Sequence, residues 1–583
     1  MFRLKKLWPL IVLVSLLVSA CAPAATPTTA PQPTNPPAPA ATTAPQATAV
    51  PAQSTEVPKP TEAPKSTERK VATFIWTQEF DTLNPLYTNM WFSTVTHQIW
   101  NCYAWDFDDQ NNPVPVLVKE MPTMENGGIS SDGKTLTFKL RDDITWSDGQ
   151  PITADDFVFT HEMYMSPKNA VASTNPYDKI DSVTAPDPQT VVVKFKEPYA
   201  PWMGSLWKGI IPKHVLQPVF DKDGTLDNAE WNRKPTVDCG PFNFAEWESG
   251  SFARFTARDD YWGGRPKLDE IFIRFVPDDA SQVAALKNGD GDLGTFISYS
   301  DIPDLENAGV QMYKAFSGYN EGFYFLLDPK TGHPALQDQK VREAIALAID
   351  RDSLDKNLLL GQTVPAATYW DNMPYNDPSL KPWPYDPEKA KQLLDEAGWK
   401  DTNGDGVRDK NGKELVLKYG TTTREIRKDT QAVVQQQLAD VGIKVDLLNY
   451  ESDTFFGGYK DSGPAATGQL DIFEYSTSAN FPDPDTAEWL CSSIPTDAKP
   501  EGNNWSRLCD KDLDALFQKQ AAQVDASERE KTFQAITKMV FDKVYWLGLW
   551  QDPDIWGVNK RLQNVKFSGA TPLYNIAEWD LQK

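Results

Sequence analysis

Hydrophobic and polar positions along residues 70–583 repeat with two periods, one typical of helices and one typical of strands. The segment TADDFVFTHEMYM begins with Thr153 as a helix cap and carries Asp156 three positions later, and its apolar residues keep helical spacing. DPEKAKQLLDEAG likewise begins with Asp386 as a cap, followed by proline, and ends at Gly398. Both segments are predicted to be helices.

Other segments place helices and strands in alternation. IRKDTQAVVQQQLADVG has its apolar residues on one face and ends at Gly442, and IKVDLL then alternates as a strand. KVREAIALAIDRDSL and DASQVAALKNGDGDL are predicted to be two more amphipathic helices, the second ended by Gly289. The pattern as a whole indicates a mixed α/β protein.

GISSDGKTLTFKL, residues 128–140, matches the spacing of a phosphate-binding loop. Such loops need a strand before the glycines and a helix after them, so that the helix N-terminus faces the phosphate. Here TLTFKLR alternates as a strand after Lys134, and the residues before Gly128 form a loop sequence. We therefore interpret Gly133 as a tight turn and not as part of a nucleotide site.

The N-terminus indicates export. Basic residues precede the apolar run LWPLIVLVSLLVSA, which is short for a membrane span, and Cys21 follows at once. Val-Ser-Ala-Cys resembles the lipobox of bacterial lipoproteins, so Cys21 is predicted to be lipidated. Residues 22–68 contain 12 prolines and no aromatic residue. Such a composition predicts an extended tether that could span on the order of 100 Å.

Charge and catalytic motifs exclude several classes of protein. The chain has a formal net charge of −24, which disfavours nucleic acid and anionic lipid as partners. His97, His161, His214 and His333 stand singly, with no second histidine at zinc-helix spacing, and no Gly-x-Ser-x-Gly elbow is present. The sequence therefore predicts no enzyme and no organic cofactor, with a secreted glycoside hydrolase as the remote alternative.

Four cysteines remain beyond Cys21, an even number suited to an oxidising compartment. Cys491 and Cys509 are close in sequence and are predicted to pair, which would stabilise the fold by roughly 3 kcal/mol. For Cys102 and Cys239 a disulfide and two buried thiols both remain open.

Several long blocks resemble one family. LRDDITWSDGQPITADDFVFT (140–160) closely resembles the segment that marks family 5 extracellular solute-binding proteins, the peptide-binding lipoproteins of ABC importers. CGPFNFAEWESGSFARFTARDDYWGGRPKLDEIFIRFVPDDASQVAALKNGDGDL (239–293) and DQKVREAIALAIDRDSL (338–354) resemble further blocks of the same family. The resemblance covers essentially residues 70–580.

The resemblance implies an α/β fold, a two-lobed clamshell of the type II-like periplasmic-binding-protein kind with an extra third domain. It also implies a monomeric receptor, anchored to the bacterial cell membrane, that captures peptides and delivers them to ABC permease subunits. An oligosaccharide ligand on the same fold is the alternative. The expected divisions are a signal peptide at 1–20, a tether at 21–69, lobe I at 70–115, 235–320 and 546–583, an extra domain at 116–234, and lobe II at 321–545.

The ligand is expected between the lobes. In relatives an aspartate three residues before an Asp-Pro-Asp pairs with the peptide's amino terminus, and here that position is Asn480, which lacks the charge. This departure keeps the oligosaccharide alternative open. The other residues expected to contact ligand by analogy or by their position in loops are Asn89, Met90, Trp91, Trp370, Tyr475, Ser476 and Thr477.

DTNGDGVRD resembles the start of a calcium-binding loop. Asp401, Asn403, Asp405, the carbonyl of Val407 and Asp409 occupy positions 1, 3, 5, 7 and 9. Position 12 is a glycine and not the bidentate glutamate of an EF-hand. A weak structural calcium site and a metal-free hairpin turn therefore both remain open.

Overall fold

Two large β-sheets, one three-stranded sheet and three two-stranded sheets organise the described part of the chain in the computed structural model. The structure describes residues 69–582 except 374, 478–480, 482, 485 and 501. These residues belong to one contact unit, Thr67–Lys583. The predicted signal peptide, Cys21 and all but the last residue of the predicted tether lie outside the described residues.

The strands are, in chain order, β1 Val71–Trp76, β2 Trp105–Phe107, β3 Pro113–Pro115, β4 Thr135–Lys139, β5 Ile180–Asp187, β6 Thr190–Phe195, β7 Phe242–Glu248, β8 Phe252–Ala257, β9 Glu270–Phe275, β10 Leu293–Thr295, β11 Val310–Ala315, β12 Asn320–Phe325, β13 Asp409–Lys410, β14 Lys413–Glu414, β15 Val416–Thr422, β16 Lys444–Tyr450, β17 Ile472–Ser476, β18 Trp546–Gln551, β19 Asp554–Asn559, β20 Leu562–Gln563 and β21 Asp580–Leu581.

The α-helices are, in chain order, α1 Trp91–Trp100, α2 Ala154–Met165, α3 Trp202–Ser205, α4 Lys213–Asp223, α5 Asp279–Asn288, α6 Ile302–Asn307, α7 Gln339–Ala348, α8 Arg351–Asn357, α9 Pro387–Glu396, α10 Glu425–Ala439, α11 Ser452–Phe455, α12 Lys511–Ala521 and α13 Ala526–Asp542. Short 3-10 helices occupy Pro85–Tyr87, Tyr177–Lys179, Glu230–Asn232, Tyr299–Asp301, Pro334–Gln337, Ala487–Trp489, Cys491–Ser493 and Ile576–Glu578.

The first lobe is built on a seven-stranded sheet in the order β11-β19-β10-β1-β9-β8-β7. Its central strand, β1, runs parallel to β9 and β10, whereas β19 is antiparallel to β10 and β11. The C-terminal tail returns to this lobe, where Trp579 packs against Phe74 with ring centroids 5.9 Å apart. Distant parts of the sequence therefore form one core.

The second lobe is built on a five-stranded sheet in the order β16-β15-β17-β12-β18. The strand β15 runs parallel to β16 and β17, and β12 is antiparallel to β17 and β18. The helix α10 lies between β15 and β16 in the sequence, so the predicted helix-to-strand unit is confirmed.

Two short connections join the sheets, one from β11 to β12 and one from β18 to β19. The second connection lies later in the chain than the predicted boundary at residue 546. Trp546–Gln551 pairs with β12 in the second sheet, so the chain returns to the first lobe after Gln551 and not at residue 546. The apolar strands on either side of the connection look alike in sequence, and only their pairing separates them.

A three-stranded antiparallel sheet, β4-β6-β5, forms the core of the region predicted as the extra domain. The segment after Lys134 is the strand β4, which confirms the interpretation of GISSDGKTLTFKL as a turn and strand. Gly133 has φ of +66°, and a Cβ atom built on it would lie 2.3 Å from a methyl carbon of Val524. The turn thus packs closely against the second lobe, with no room for a side chain.

The predicted helix starts are confirmed. Thr153 and Asp156 form a reciprocal capping box at α2, and the Asp386 carboxylate accepts a hydrogen bond from Lys389 N at α9. The predicted single helix KVREAIALAIDRDSL is instead divided into α7 and α8. Asp350 causes the division, because its carboxylate caps a new helix by accepting a hydrogen bond from Ser353 N.

Both cysteine pairs form disulfides, Cys491 with Cys509, as predicted, and Cys102 with Cys239. The Cα atoms are 4.7 Å and 5.5 Å apart, respectively. In the described part of the chain, every helix is too short or too polar to cross a membrane.

Candidate ligand-binding cleft

A cleft of about 820 Å³ opens between the two large sheets, in the size range of sites for small molecules and short peptides. It lies where β10, β15 and β17 end, which is the edge at which α/β proteins commonly bind ligands. Its lining residues are Trp91, Asp279, Phe296, Ile297, Ser298, Tyr299, Ser300, Tyr319, Leu358, Arg424, Glu425, Ile426, Asp429, Ser476, Asp552, Pro553, Asp554 and Ile555.

The wall from the first lobe is aromatic. Trp91 is the first residue of α1, and its ring meets that of Phe296 edge-on, with centroids 4.7 Å apart. Phe296 directly follows β10, has 46% of its surface exposed, and adopts φ of 56°. A bulky residue with positive φ is conformationally strained, and such strain is retained where the surrounding structure requires that geometry. The backbone conformation of Phe296 thus places an apolar ring in the open cleft.

The wall from the second lobe is polar. It consists of the start of α10, where Arg424 and Glu425 are exposed, and of the end of β17, where Ser476 is half-buried. The N-terminus of α10 therefore faces the same space as the aromatic wall.

Asp552, in the β18–β19 connection, forms hydrogen bonds with both walls of the cleft. The Tyr299 hydroxyl of the first lobe donates to Asp552 Oδ1 at 3.2 Å, and the Ser476 hydroxyl of the second lobe lies 2.9 Å from Oδ2. Arg424 forms an ion pair with the same carboxylate at 3.5 Å. The second lobe thus compensates the charge of Asp552 through Arg424, and the Asp552 carboxylate has hydrogen-bond partners in both lobes.

Asp554 lies two residues farther along and differs from Asp552. Among the described residues it has no cation partner and no hydrogen bond to its carboxylate. Burial, and secondarily the charge of Asp552, raise the pKa of Asp554 from 3.8 to about 7. The protein therefore keeps a half-buried carboxyl group at the cleft with no cation partner among the described residues.

A buried charge network lies beneath the cleft. Arg427 on α10 forms a bidentate ion pair with Glu321 on β12 at 2.9 Å and 3.0 Å. The Ser476 hydroxyl lies 2.6 Å from the same glutamate, so its single proton can go to Glu321 or to Asp552. Glu474 is fully buried and bonded to the Tyr419 phenol, and burial, with the charge of Glu321 second, raises its pKa well above the ordinary value.

Two of the predicted ligand residues, Trp91 and Ser476, line the cleft. Met90 caps α1 beside the cleft and Asn89 is exposed next to it, and neither is among the lining residues. Tyr475 instead turns away, because its ring stacks on Tyr324 with centroids 4.2 Å apart. Residues next to each other on a strand point to opposite faces, which explains why Ser476 and Tyr475 differ.

Trp370 and Thr477 are not lining residues. Trp370 is 1% exposed and packs against Trp489 and Phe533 in the core of the second lobe. Thr477 is fully buried, and its hydroxyl donates to Gly318 O at 2.5 Å and accepts from Asn320 N at 3.0 Å. Both side chains turn inward, which loop composition does not reveal. Asn480 lies outside the described residues.

The predicted calcium loop is exposed and its oxygens bond within the loop. Asp401 accepts hydrogen bonds from Gly404 N and Gly406 N, and Asp405 accepts one from Val407 N. Asp409 bonds to Thr402. These bonds suit a hairpin turn, and calcium binding stays a prediction.

The lining residues of the cleft that were not predicted from the sequence include Phe296, Arg424, Asp552 and Asp554. A signal was present for the last two, since Asp-Pro-Asp interrupts the apolar strands WLGLWQ and DIWGVN. A proline and two carboxylates between buried strands mark a sharp, polar connection. Its place beside the other lobe follows only from the strand pairing.

Comparisons with known proteins agree over most of the chain. A profile of the bacterial extracellular solute-binding proteins, family 5 Middle, matches residues 112–495. The oligopeptide-binding protein AppA of Bacillus subtilis (strain 168) is 27% identical over 523 residues, covering 86% of this chain and 89% of AppA. A putative ABC transporter peptide-binding protein of Brucella ovis is 30% identical over 458 residues, covering 76% of this chain and 80% of that protein. The solved structure of AppA from Bacillus subtilis in complex with a nonapeptide matches with a TM-score of 0.69 at 25% identity, covering 88% of this chain and all of that one.

Proposed function

Because this chain belongs to the bacterial extracellular solute-binding proteins of family 5, we propose that it is the receptor of an ABC importer and captures peptides between its lobes. The observation that carries the proposal is the cleft of about 820 Å³ between two sheets, which two short connections join in the described part of the chain. Such an arrangement allows the lobes to close over a ligand, and the closed form is what a permease would recognise.

Peptides fit the cleft better than oligosaccharides do. Its lining includes Arg424 and several carboxylates, which suit the charges of a peptide. The relatives AppA of Bacillus subtilis and the Brucella ovis protein are named for peptide binding, and no specific observation favours the oligosaccharide alternative. We propose that the ligand is bound and released unchanged, without turnover.

We further propose that the protein is held outside the cytoplasm by a lipid on Cys21. The supporting observations are the basic and apolar residues before Cys21 and the proline-rich segment after it, which would hold the receptor near the permease.

Native mass spectrometry of the protein extracted from membranes tests these proposals together. Co-purified ligands that differ by amino-acid residue masses would support the peptide receptor, and a mass increment of a diacylglycerol on a chain starting at Cys21 would support the anchor. Hexose or pentose increments would instead identify an oligosaccharide receptor. Bound peptides that are shortened during incubation would contradict binding without turnover.

A further inference from the structure

The cleft carries an uneven set of charges. Its lining includes the carboxylates of Asp279, Glu425, Asp429, Asp552 and Asp554, and Arg424 as the one cationic side chain among the described lining residues. A cleft walled by protein focuses such a field and draws in positive charge.

For most of these carboxylates, the immediate surroundings explain how the negative charge is stabilised. Asp279 and Glu425 lie in the first turns of α5 and α10, where a helix favours negative charge, and Asp429 is exposed to solvent. Asp552 is compensated by Arg424, Tyr299 and Ser476. Asp554 alone remains half-buried without a cation in the described part of the chain.

Aromatic surface lies beside this carboxylate. In the sheet register Thr295 pairs with Trp556, which places Phe296 next to the β19 end that begins with Asp554. Tyr319 has 40% of its surface exposed, and its backbone carbonyl oxygen accepts a hydrogen bond from Asp552 N at 3.0 Å. Burial, and after it the charge of Asp554, raises the pKa of the Tyr319 phenol to about 12. Aromatic faces attract cations through their quadrupole, most strongly where water is excluded.

A half-buried carboxylate without a partner costs free energy that a bound cation would recover. Exposed aromatic rings beside it would hold the apolar part of the same ligand. We propose that Asp554, with Phe296 and Tyr319, forms a subsite for a positively charged group of the ligand, an ammonium or guanidinium. The inference rests on the proposed receptor function and narrows its ligand to peptides that carry such a group at this place.

Calorimetry with matched peptides tests the subsite. The probes are a pentapeptide of four alanines around a central lysine, the same peptide with norleucine for lysine, and the N-acetylated form of each. The Asp554→Asn variant is expected to bind the cationic peptides at least about tenfold more weakly than the natural protein does. It is expected to bind the acetylated norleucine peptide equally well or better. The four probes also separate a lysine side chain from the peptide's amino terminus as the source of the charge.

Asp440→Asn is the matched control. Asp440 is exposed at the far end of α10 and bonds only to Gln436, so this variant makes the same charge change away from the cleft. Equal losses for cationic and neutral peptides in Asp554→Asn, or equal losses in both variants, would overturn the proposal.

A second probe distinguishes failure of the peptide-receptor proposal from failure of the subsite proposal. If no peptide binds the natural protein, the peptide-receptor function fails, and L-argininamide then tests the subsite by itself. At matched ionic strength it is expected to raise the melting temperature of the natural protein and of Asp440→Asn, but not that of Asp554→Asn. The same shift in all three proteins would overturn the subsite.

Discussion

Two carboxylates in one short connection, Asp552 and Asp554, have different partners. Asp552 contacts Arg424 and two hydroxyl groups, whereas Asp554 has no such partner among the described residues. The groups around Asp554 are Asp552, the Tyr319 hydroxyl and Arg424, which contacts Asp552 instead. With a pKa of about 7, Asp554 changes its charge within the physiological range.

Replacing Asp554 by asparagine is expected to stabilise the ligand-free protein at about pH 8 and to change its stability little at about pH 4. The carboxyl group titrates near 3.8 when unfolded and near 7 when folded. Its stabilising contribution is therefore fully present below pH 3.8 and is lost as the pH rises through 7, by at most about 4 kcal/mol. Since asparagine does not titrate, thermal unfolding across this range should show the variant gaining stability over the natural protein as the pH rises.

Asp440→Asn provides the control, because it makes the same change from aspartate to asparagine at an exposed position away from the cleft. Parallel stability curves for Asp554→Asn and the natural protein would mean that Asp554 titrates normally in the fold. The ligand proposal would then lose the energetic reason for a cation at this position.

At the scale of elements, the Arg427–Glu321 pair fastens α10 to the central part of the second sheet. Arg427 also donates to the Thr422 hydroxyl at 3.1 Å, so one guanidinium links the helix, the end of β15 and β12. Glu321 is fully buried and lies next to the equally buried Glu474. The pair thus sets the position of the helix start that faces the cleft.

Arg427→Met is expected to destabilise the protein by about 3–5 kcal/mol, because it leaves the Glu321 charge buried without its partner. Chemical denaturation followed by tryptophan fluorescence measures the loss. The double variant Arg427→Met/Glu321→Leu should recover much of it, since it removes both charges and replaces them with apolar groups. A loss below about 1 kcal/mol in the single variant would show that the pair does not hold the helix.

Elements whose ends are fixed by local chemistry could be predicted from the sequence. Thr153 with Asp156, and Asp386 with its following proline, start helices through contacts within four residues. The division at Asp350 was missed because an amphipathic pattern continues across it while a new cap forms. Local patterns therefore predict that an element exists better than they predict where it is interrupted.

Side-chain placement in the cleft depends on contacts that are distant in sequence. Trp91 and Trp370 both stand in loop-like sequence, yet one lines the cleft and the other is in the core. Asp554 owes its position to pairing with β11, about 240 residues earlier in the chain. Family blocks predicted the fold and the two lobes, but the charge of the cleft could be found only after the strands were placed together.

At the scale of the whole molecule, the two halves of the protein also contact each other away from the two chain connections. The extra domain touches the second lobe at Gly204, where a Cβ atom would lie 3.3 Å from the Asp483 carbonyl oxygen, and at Gly133 against Val524. Glycine at these positions lets the domains approach closely. Bulkier side chains at these positions would therefore push the domains apart and oppose closure over a ligand.

Saturation with a bound peptide is expected to reduce the radius of gyration of a chain starting at Thr67, as measured by small-angle X-ray scattering, because ligand binding favours the closed form.

Gly204→Leu should reduce this compaction and weaken peptide binding, since the added carbons would enter the contact with Asp483. Gly204→Ala adds one carbon, 3.3 Å from the Asp483 carbonyl oxygen, which a small shift of the neighbour relieves, and should have a smaller effect. If the radius stays unchanged at saturation in the natural protein, lobe closure is not the response to ligand. If only Gly204→Leu fails to compact while it remains folded by circular dichroism, the extra domain takes part in closure.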